Sequence, residues 1–148
     1  MGTLKLGVVG VIALSLVGCI ATDLGRYNRI DATDKTIFIP FDESPLITGL
    51  KQQLAADGWT VNPPVPTPAA LPRYRLEIRQ MRVDPDTCDD ASGDPVVKFF
   101  LILYDTRTSD ASLIFRGRDC SHSAVAEFMD AARRFVQRPR RDLDAGKG

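Results

Sequence analysis

The side chains best suited to covalent or metal chemistry here are three cysteines, one histidine and a run of aspartates. His122 is the only histidine, so neither a multi-histidine metal site nor a facial triad can be built. It stands in Ser121-His122-Ser123, but adjacent side chains at a helix start diverge. A nucleophile and its base must come within hydrogen-bond reach, usually from separate elements. The triplet therefore reads as helix-capping serines beside an exposed histidine. Asp84, Asp86, Asp89, Asp90 and Asp94 are crowded enough to invite Ca²⁺, yet Cys88 stands where an oxygen ligand belongs and no glutamate closes the loop. They read as a solvated acidic loop. No glycine-rich phosphate loop follows a strand pattern. The expectation is a chain that is not an enzyme and holds no cofactor or metal.

Cys19 is a different matter, because of what precedes it. Lys5 supplies a basic start, an apolar run follows over 6–17, and the run closes on Leu16-Val17-Gly18-Cys19. That is the layout of a secretory signal. At about 13 residues the run is short of the roughly 20 that a helix needs to cross a bilayer core. Leu16-Val17-Gly18-Cys19 resembles the lipobox of bacterial lipoproteins, with a branched residue at −3, a small one at −1 and cysteine at +1. The resemblance implies diacylglyceryl transfer to the Cys19 thiol, cleavage before it and acylation of the new amine, leaving a lipid as the membrane anchor. In Gram-negative envelopes an acidic residue directly after that cysteine retains the protein in the inner membrane. Ile20 occupies that place, so the resemblance implies outer-membrane delivery, facing the periplasm.

Of the 148 residues, removing 1–18 leaves about 130, enough for one domain with one core. Nineteen basic residues balance nineteen acidic ones, and losing Lys5 tips the mature chain by one charge to the acidic side. No global field points to nucleic acid. Residues 19–35 are polar and read as a lipidated, flexible tether, 36–139 as a single domain, and 140–148 as a frayed tail.

Within 36–139 the hydrophobic period changes repeatedly. Over 36–41, Ile37, Ile39 and Phe41 share a face at the two-residue strand period. Ser44-Pro45 opens a helix carrying Leu46, Leu50 and Leu54, and Gly58 is placed to end it. The prolines at 63, 64, 66 and 68 exclude both helix and central strand, and the segment reads as a stiff surface connector rather than a PxxP-type ligand. A second strand over 73–83 turns Tyr74, Leu76 and Ile78 one way and Arg73, Arg75, Glu77 and Arg79 the other. Its parity changes near Gln80, which predicts a bulge. Residues 96–104 form the most apolar strand, and 112–116 returns beside it. Ser121 or Ser123 caps a last helix with Val125, Phe128, Met129, Ala132, Phe135 and Val136 on its apolar stripe, and Pro139 ends it.

The fold class expected is α+β, a mainly antiparallel four-stranded sheet with two helices on one face, in the order β-α-β-β-β-α. That order resembles small periplasmic lipoproteins such as the lipopolysaccharide-assembly lipoprotein, and the N-terminal domain of TolB-like proteins. The likeness spans 35–138 at the level of element order and transfers no functional residue.

Two consequences concern chemistry. In a meander the second and fourth strands run the same way, so Cys88 and Cys120 leave the sheet at one edge. The strands lie close to 10 Å apart, and a disulfide needs Cα atoms within about 7 Å, a gap the loop before Cys88 can close. An oxidising compartment permits the bond. The second consequence is the sheet face away from the helices, where Arg73, Arg75 and Arg79 approach Lys98, Phe100, Ile102 and Tyr104. Aromatic and basic groups together suit a protein interface or an anionic amphiphile, while arginine stems also simply cover apolar sheet area. The functional expectation is a lipid-anchored, non-enzymatic envelope protein serving assembly, transport or maintenance through a protein partner, with lipid or small-amphiphile binding as the alternative. A concave apolar pocket favours the ligand, a flat exposed sheet the partner.

Overall fold

The computed structural model describes residues 22–23, 29–64 and 71–136. The signal segment, Cys19, most of the proline-rich connector, Pro139 and the tail lie outside the described residues. The elements in chain order are β1 (Thr22–Asp23), β2 (Thr36–Phe38), α1 (Pro45–Ala56), β3 (Thr60–Val61), β4 (Tyr74–Thr87), β5 (Pro95–Asp105), β6 (Ala111–Cys120) and α2 (Ser121–Phe135). The α+β class is as expected, but the four-stranded antiparallel sheet is corrected. Among the described residues six strands stand in the order β1-β6-β5-β4-β2-β3, and β2 pairs in parallel with both β3 and β4.

The two added strands are two residues each, too short to show a period. β3 reads as part of the connector because prolines follow it, yet it is completed by a side chain. Asn62, at φ 50°, accepts from the Ile39 N–H at 2.6 Å and donates to the Ile39 carbonyl at 3.0 Å, extending the β2–β3 ladder past its backbone. At the other edge β1 pairs with Phe115 and Arg116 of β6. Ile30 is fully buried, bridges to Val136, and its N–H bonds to the Phe135 carbonyl at 2.8 Å. The segment 19–35, expected to be a flexible tether, therefore contributes a sheet edge and a core residue.

Helix α1 starts and stops as its sequence dictates. Ser44 Oγ accepts from the Ile47 N–H, Pro45 is the first helical residue, and Gly58 at φ 83° leaves it. The Gly58 and Trp59 N–H groups return to the carbonyls of Ala55 and Leu54, satisfying the last turn. α2 departs from expectation. Its N-cap is Cys120, which makes no side-chain cap bond, and Ser121 already lies within the helix and is buried. The two helices cross closely at Gly49, where a Cβ would stand 2.8 Å from Val125 Cγ2.

The core lies between this helix pair and one face of the sheet. Leu46, Leu50 and Leu54 of α1 and Phe128, Met129 and Ala132 of α2 meet Val97, Phe99, Leu101 and Leu103 of β5 and Leu113 and Phe115 of β6. Phe115 is the hub: it stacks on Phe99 at 4.8 Å and meets Phe128 edge-on at 5.6 Å. The expected bulge is present. Ile78 faces Leu101 and Gln80 faces Phe100, so Arg79 is the extra residue, and Met81 returns to the core side.

Candidate functional site

Among the described residues β5 alone has long neighbours on both sides, so it defines the face that no described helix covers. The register sets four cross-strand rows there. Arg75 faces Tyr104; Glu77, Ile102 and Ile114 form the next row; then come Gln80, Phe100 and Arg116; last are Arg82, Lys98 and Arg118. The surface thus grades from aromatic through aliphatic to basic over the length of three strands. Ile102 is only 7% exposed although it points away from the core, so the middle row is itself a small apolar patch.

At the aromatic end the Arg75 guanidinium lies 5.7 Å from the Tyr104 ring centroid. Arg79 Nε forms an ion pair with Glu77 Oε1 at 2.7 Å. A bond with the Tyr104 hydroxyl, and then the Glu77 charge, holds the Arg79 proton more tightly than in a free arginine. These residues edge an open groove of about 730 Å³ that is also lined by Phe38, the cross-strand neighbour of Arg75, and Leu71, both exposed apolar side chains. The lining therefore joins apolar Phe38 and Leu71 to two guanidiniums and the Glu77 carboxylate between them.

At the basic end Arg118 Nε donates to Asp84 at 2.8 Å and its Nη2 to Asp86 at 2.9 Å. Asp84 also pairs with Arg82. The aspartates once suited to Ca²⁺ are thus divided: Asp84 and Asp86 serve arginines, while Asp90 and Asp94 flank His122 at 3.1 and 2.7 Å. Lys98 and Arg116, on either side of Phe100, have no ion-pair partner among the described residues.

Of the residues expected on this face, Arg75, Arg79, Lys98, Phe100, Ile102 and Tyr104 are brought together. Arg73 is not part of it. It precedes β4, is largely buried, and donates through Nε and Nη2 to Asp105 Oδ2 at 3.1 and 2.7 Å. Asp105 Oδ1 accepts from the Arg107 N–H, and the Arg73 N–H donates to Thr36 Oγ1. This arginine fastens the β2, β4 and β5 ends together. Parity placed it outward, but a charged partner at the strand end drew it in.

Arg82, Arg116 and Arg118 were missed on this face. The alternation of Arg116 and Arg118 was a usable signal, whereas Arg82 needed the bulge to set its parity. The expected disulfide is formed: Cys88 and Cys120 are bonded with Cα atoms 5.8 Å apart. The register explains the reach. Between Val83 and Thr87 the β4 strand carries more residues than the facing stretch of β5, from Val97 to Pro95, so it can swing across the end of β5 toward β6.

Among the described residues no group of three His, Cys, Asp or Glu side chains is placed to hold a metal, and no helix is long and apolar enough to cross a membrane. No protein-family model matches the chain, and no curated protein does. Solved structures do. The PelC dodecamer from Paraburkholderia phytofirmans, in space group P6, superposes with a TM-score of 0.51 at 15% identity, covering 80% of this chain and all of that one. A single-residue variant of that dodecamer in space group C2 gives 0.49 at 17% identity over the same shares. At such identity the likeness is one of fold: this chain is built like a PelC protomer.

Proposed function

We propose that this chain is a lipid-anchored, non-enzymatic protein on the periplasmic side of the bacterial outer membrane, acting in envelope assembly, transport or maintenance by binding protein on its outer sheet face. The observation that carries this reading is the face itself. Three long strands present graded aromatic, aliphatic and basic rows with no described helix over them. Arginine and aromatic residues around a small apolar centre are the composition enriched in protein interfaces. The fold shared with a dodecameric protein supports a further copy of this chain as the first partner to test. The anchor rests on the Lys5-to-Cys19 pattern. Two or more acyl chains hold firmly, whereas one binds marginally.

The test is the full chain expressed in a Gram-negative host. The wild type is expected to fractionate with outer membranes, and Cys19→Ala to leave precursor or soluble protein. In mild detergent the wild type is expected to sediment as an assembly larger than the protomer. Unmodified soluble wild type removes the anchor from this reading, and a protomer at every concentration removes self-association.

The groove at Phe38, Leu71, Arg75, Arg79 and Tyr104 favours a second reading, an anionic amphiphile with its chain on Phe38 and Leu71 and its head on the guanidiniums. Saturable displacement of a fluorescent fatty acid, abolished by Arg75→Glu with Arg79→Glu, supports it; absence of binding removes it.

A further inference from the structure

The chain's formal net charge is zero, yet its two broad sides divide that charge. On the outer sheet face Arg75, Arg79, Arg82, Lys98, Arg116 and Arg118 outnumber Glu77, Asp84 and Asp86. On the far side of the molecule α1 and α2 leave a groove of about 660 Å³, lined by Glu43, Asp94 and Asp130 against His122 and Arg133. Internal pairing does not cancel either excess. His122 is shared between Asp90 and Asp94, and Arg133 between Asp57 and Asp130. Lys98 and Arg116 have no ion-pair partner among the described residues. Both surfaces also hold an apolar centre: Phe100, Ile102 and Ile114 on the sheet, Val125, Ala126 and Met129 in the groove.

We propose that the basic outer sheet face of one copy docks on the acidic α1–α2 groove of the next. This deepens the self-association reading above and rests on it. A second copy answers both surfaces at once, with opposite charge to steer and orient the encounter and apolar area to be desolvated at its centre. An anionic membrane would satisfy the sheet face and leave the acidic groove unanswered. Because the two surfaces differ, the contact is heterologous: each copy in a pair keeps one of each free, and growth runs on to a closed ring or a filament.

The test uses the full chain in mild detergent, followed by sedimentation. Lys98→Glu with Arg116→Glu alters only the sheet face, and Glu43→Gln with Asp130→Asn only the groove, so the two altered surfaces do not complement each other. Each double variant alone is expected to be a protomer, its self-affinity weakened by about tenfold or more. Mixed in equal amounts, the two are expected to form a dimer and stop there, joined through the one intact groove and the one intact sheet face. That dimer also shows that both variants are folded. If either variant assembles like the wild type, the choice of surfaces is wrong while self-association stands. If the wild type is itself a protomer, both fall. If the wild type is a protomer and the sheet-face variant alone loses binding to phosphatidylglycerol vesicles, the face belongs to the membrane instead.

Discussion

β5 shows two environments on one strand. Val97, Phe99, Leu101 and Leu103 point at the helices and are essentially sealed from solvent, while of the residues alternating with them Lys98 is exposed and Phe100 and Tyr104 are partly exposed. The covered side is held by apolar area at about 25 cal/mol per Å²; the open side carries ion pairs and a cation–π contact at its surface, with only Ile102 of its central row sealed. The lesson is sharpest in the arginines of β4 and its entrance. Arg73 and Arg75 are two residues apart and share parity. Arg73, at 15% side-chain exposure against an Asp105 at 4%, is part of the fold; Arg75, at 56%, is available for contact. Residue type says nothing about which is which.

That contrast is easiest to break at Arg73. Arg73→Ala strands the Asp105 carboxylate among buried neighbours, and truncating one member of a buried pair costs about 3–5 kcal/mol. Arg75→Ala, an exposed change, is expected to stay within about 0.5 kcal/mol. Denaturant melts of the two variants measure the difference directly, and equal losses would mean that the open face is structural too.

The disulfide is next in size. It ties β4 to β6 across the end of β5, beneath the row of Arg82, Lys98 and Arg118. Cys88→Ser with Cys120→Ser is expected to lose roughly 3–4 kcal/mol in the chain-entropy picture for a bridge of sequence separation 32. Amide exchange should then rise first in 82–88 and 116–120. Uniform loosening of the helix-covered face would contradict the assignment of the bond to the open end.

The smallest effect tests the rim of the covered side. Burial, and then the charge of Asp119, push the Glu127 carboxyl on α2 above its ordinary range. The native state therefore binds that proton more tightly than the unfolded chain does. Stability is full below the unfolded carboxyl range, near 4.3, and declines as pH rises through the raised native value. Glu127→Gln is expected to raise Tm at pH 7 and to leave it unchanged near pH 3.5. An equal gain at both values would point to packing rather than to charge.

Much was legible in the chain because it is local. Period two over 74–78, the continuous apolar run over 96–104, the Ser44-Pro45 start and the Gly58 stop of α1, and the apolar stripe of α2 each follow from side chains a few residues apart. The bulge was visible as a change of parity, and the Cys88–Cys120 bond followed from strand direction, a property of element order. The basic and aromatic outer face was legible for the same reason, since strand parity assigns faces before any contact forms. The lipobox-like Cys19 belongs to the sequence alone, lying outside the described residues.

What the tertiary structure decided is everything that depends on a partner distant along the chain. β1 and β3 are two residues each and exist because a neighbouring strand offers unpaired N–H and C=O groups, which local pattern cannot reveal. Ile30 sits in a polar stretch and is buried only because α2 ends beside it. Arg73 left the open face because Asp105, 32 residues on, closes the sheet end beside it. The acidic groove arises where Gly49 lets α1 approach Val125 of α2, a contact between helices 76 positions apart in sequence. Local chemistry chooses elements and faces; which charges are spent inside and which remain for a partner is settled only when distant elements meet.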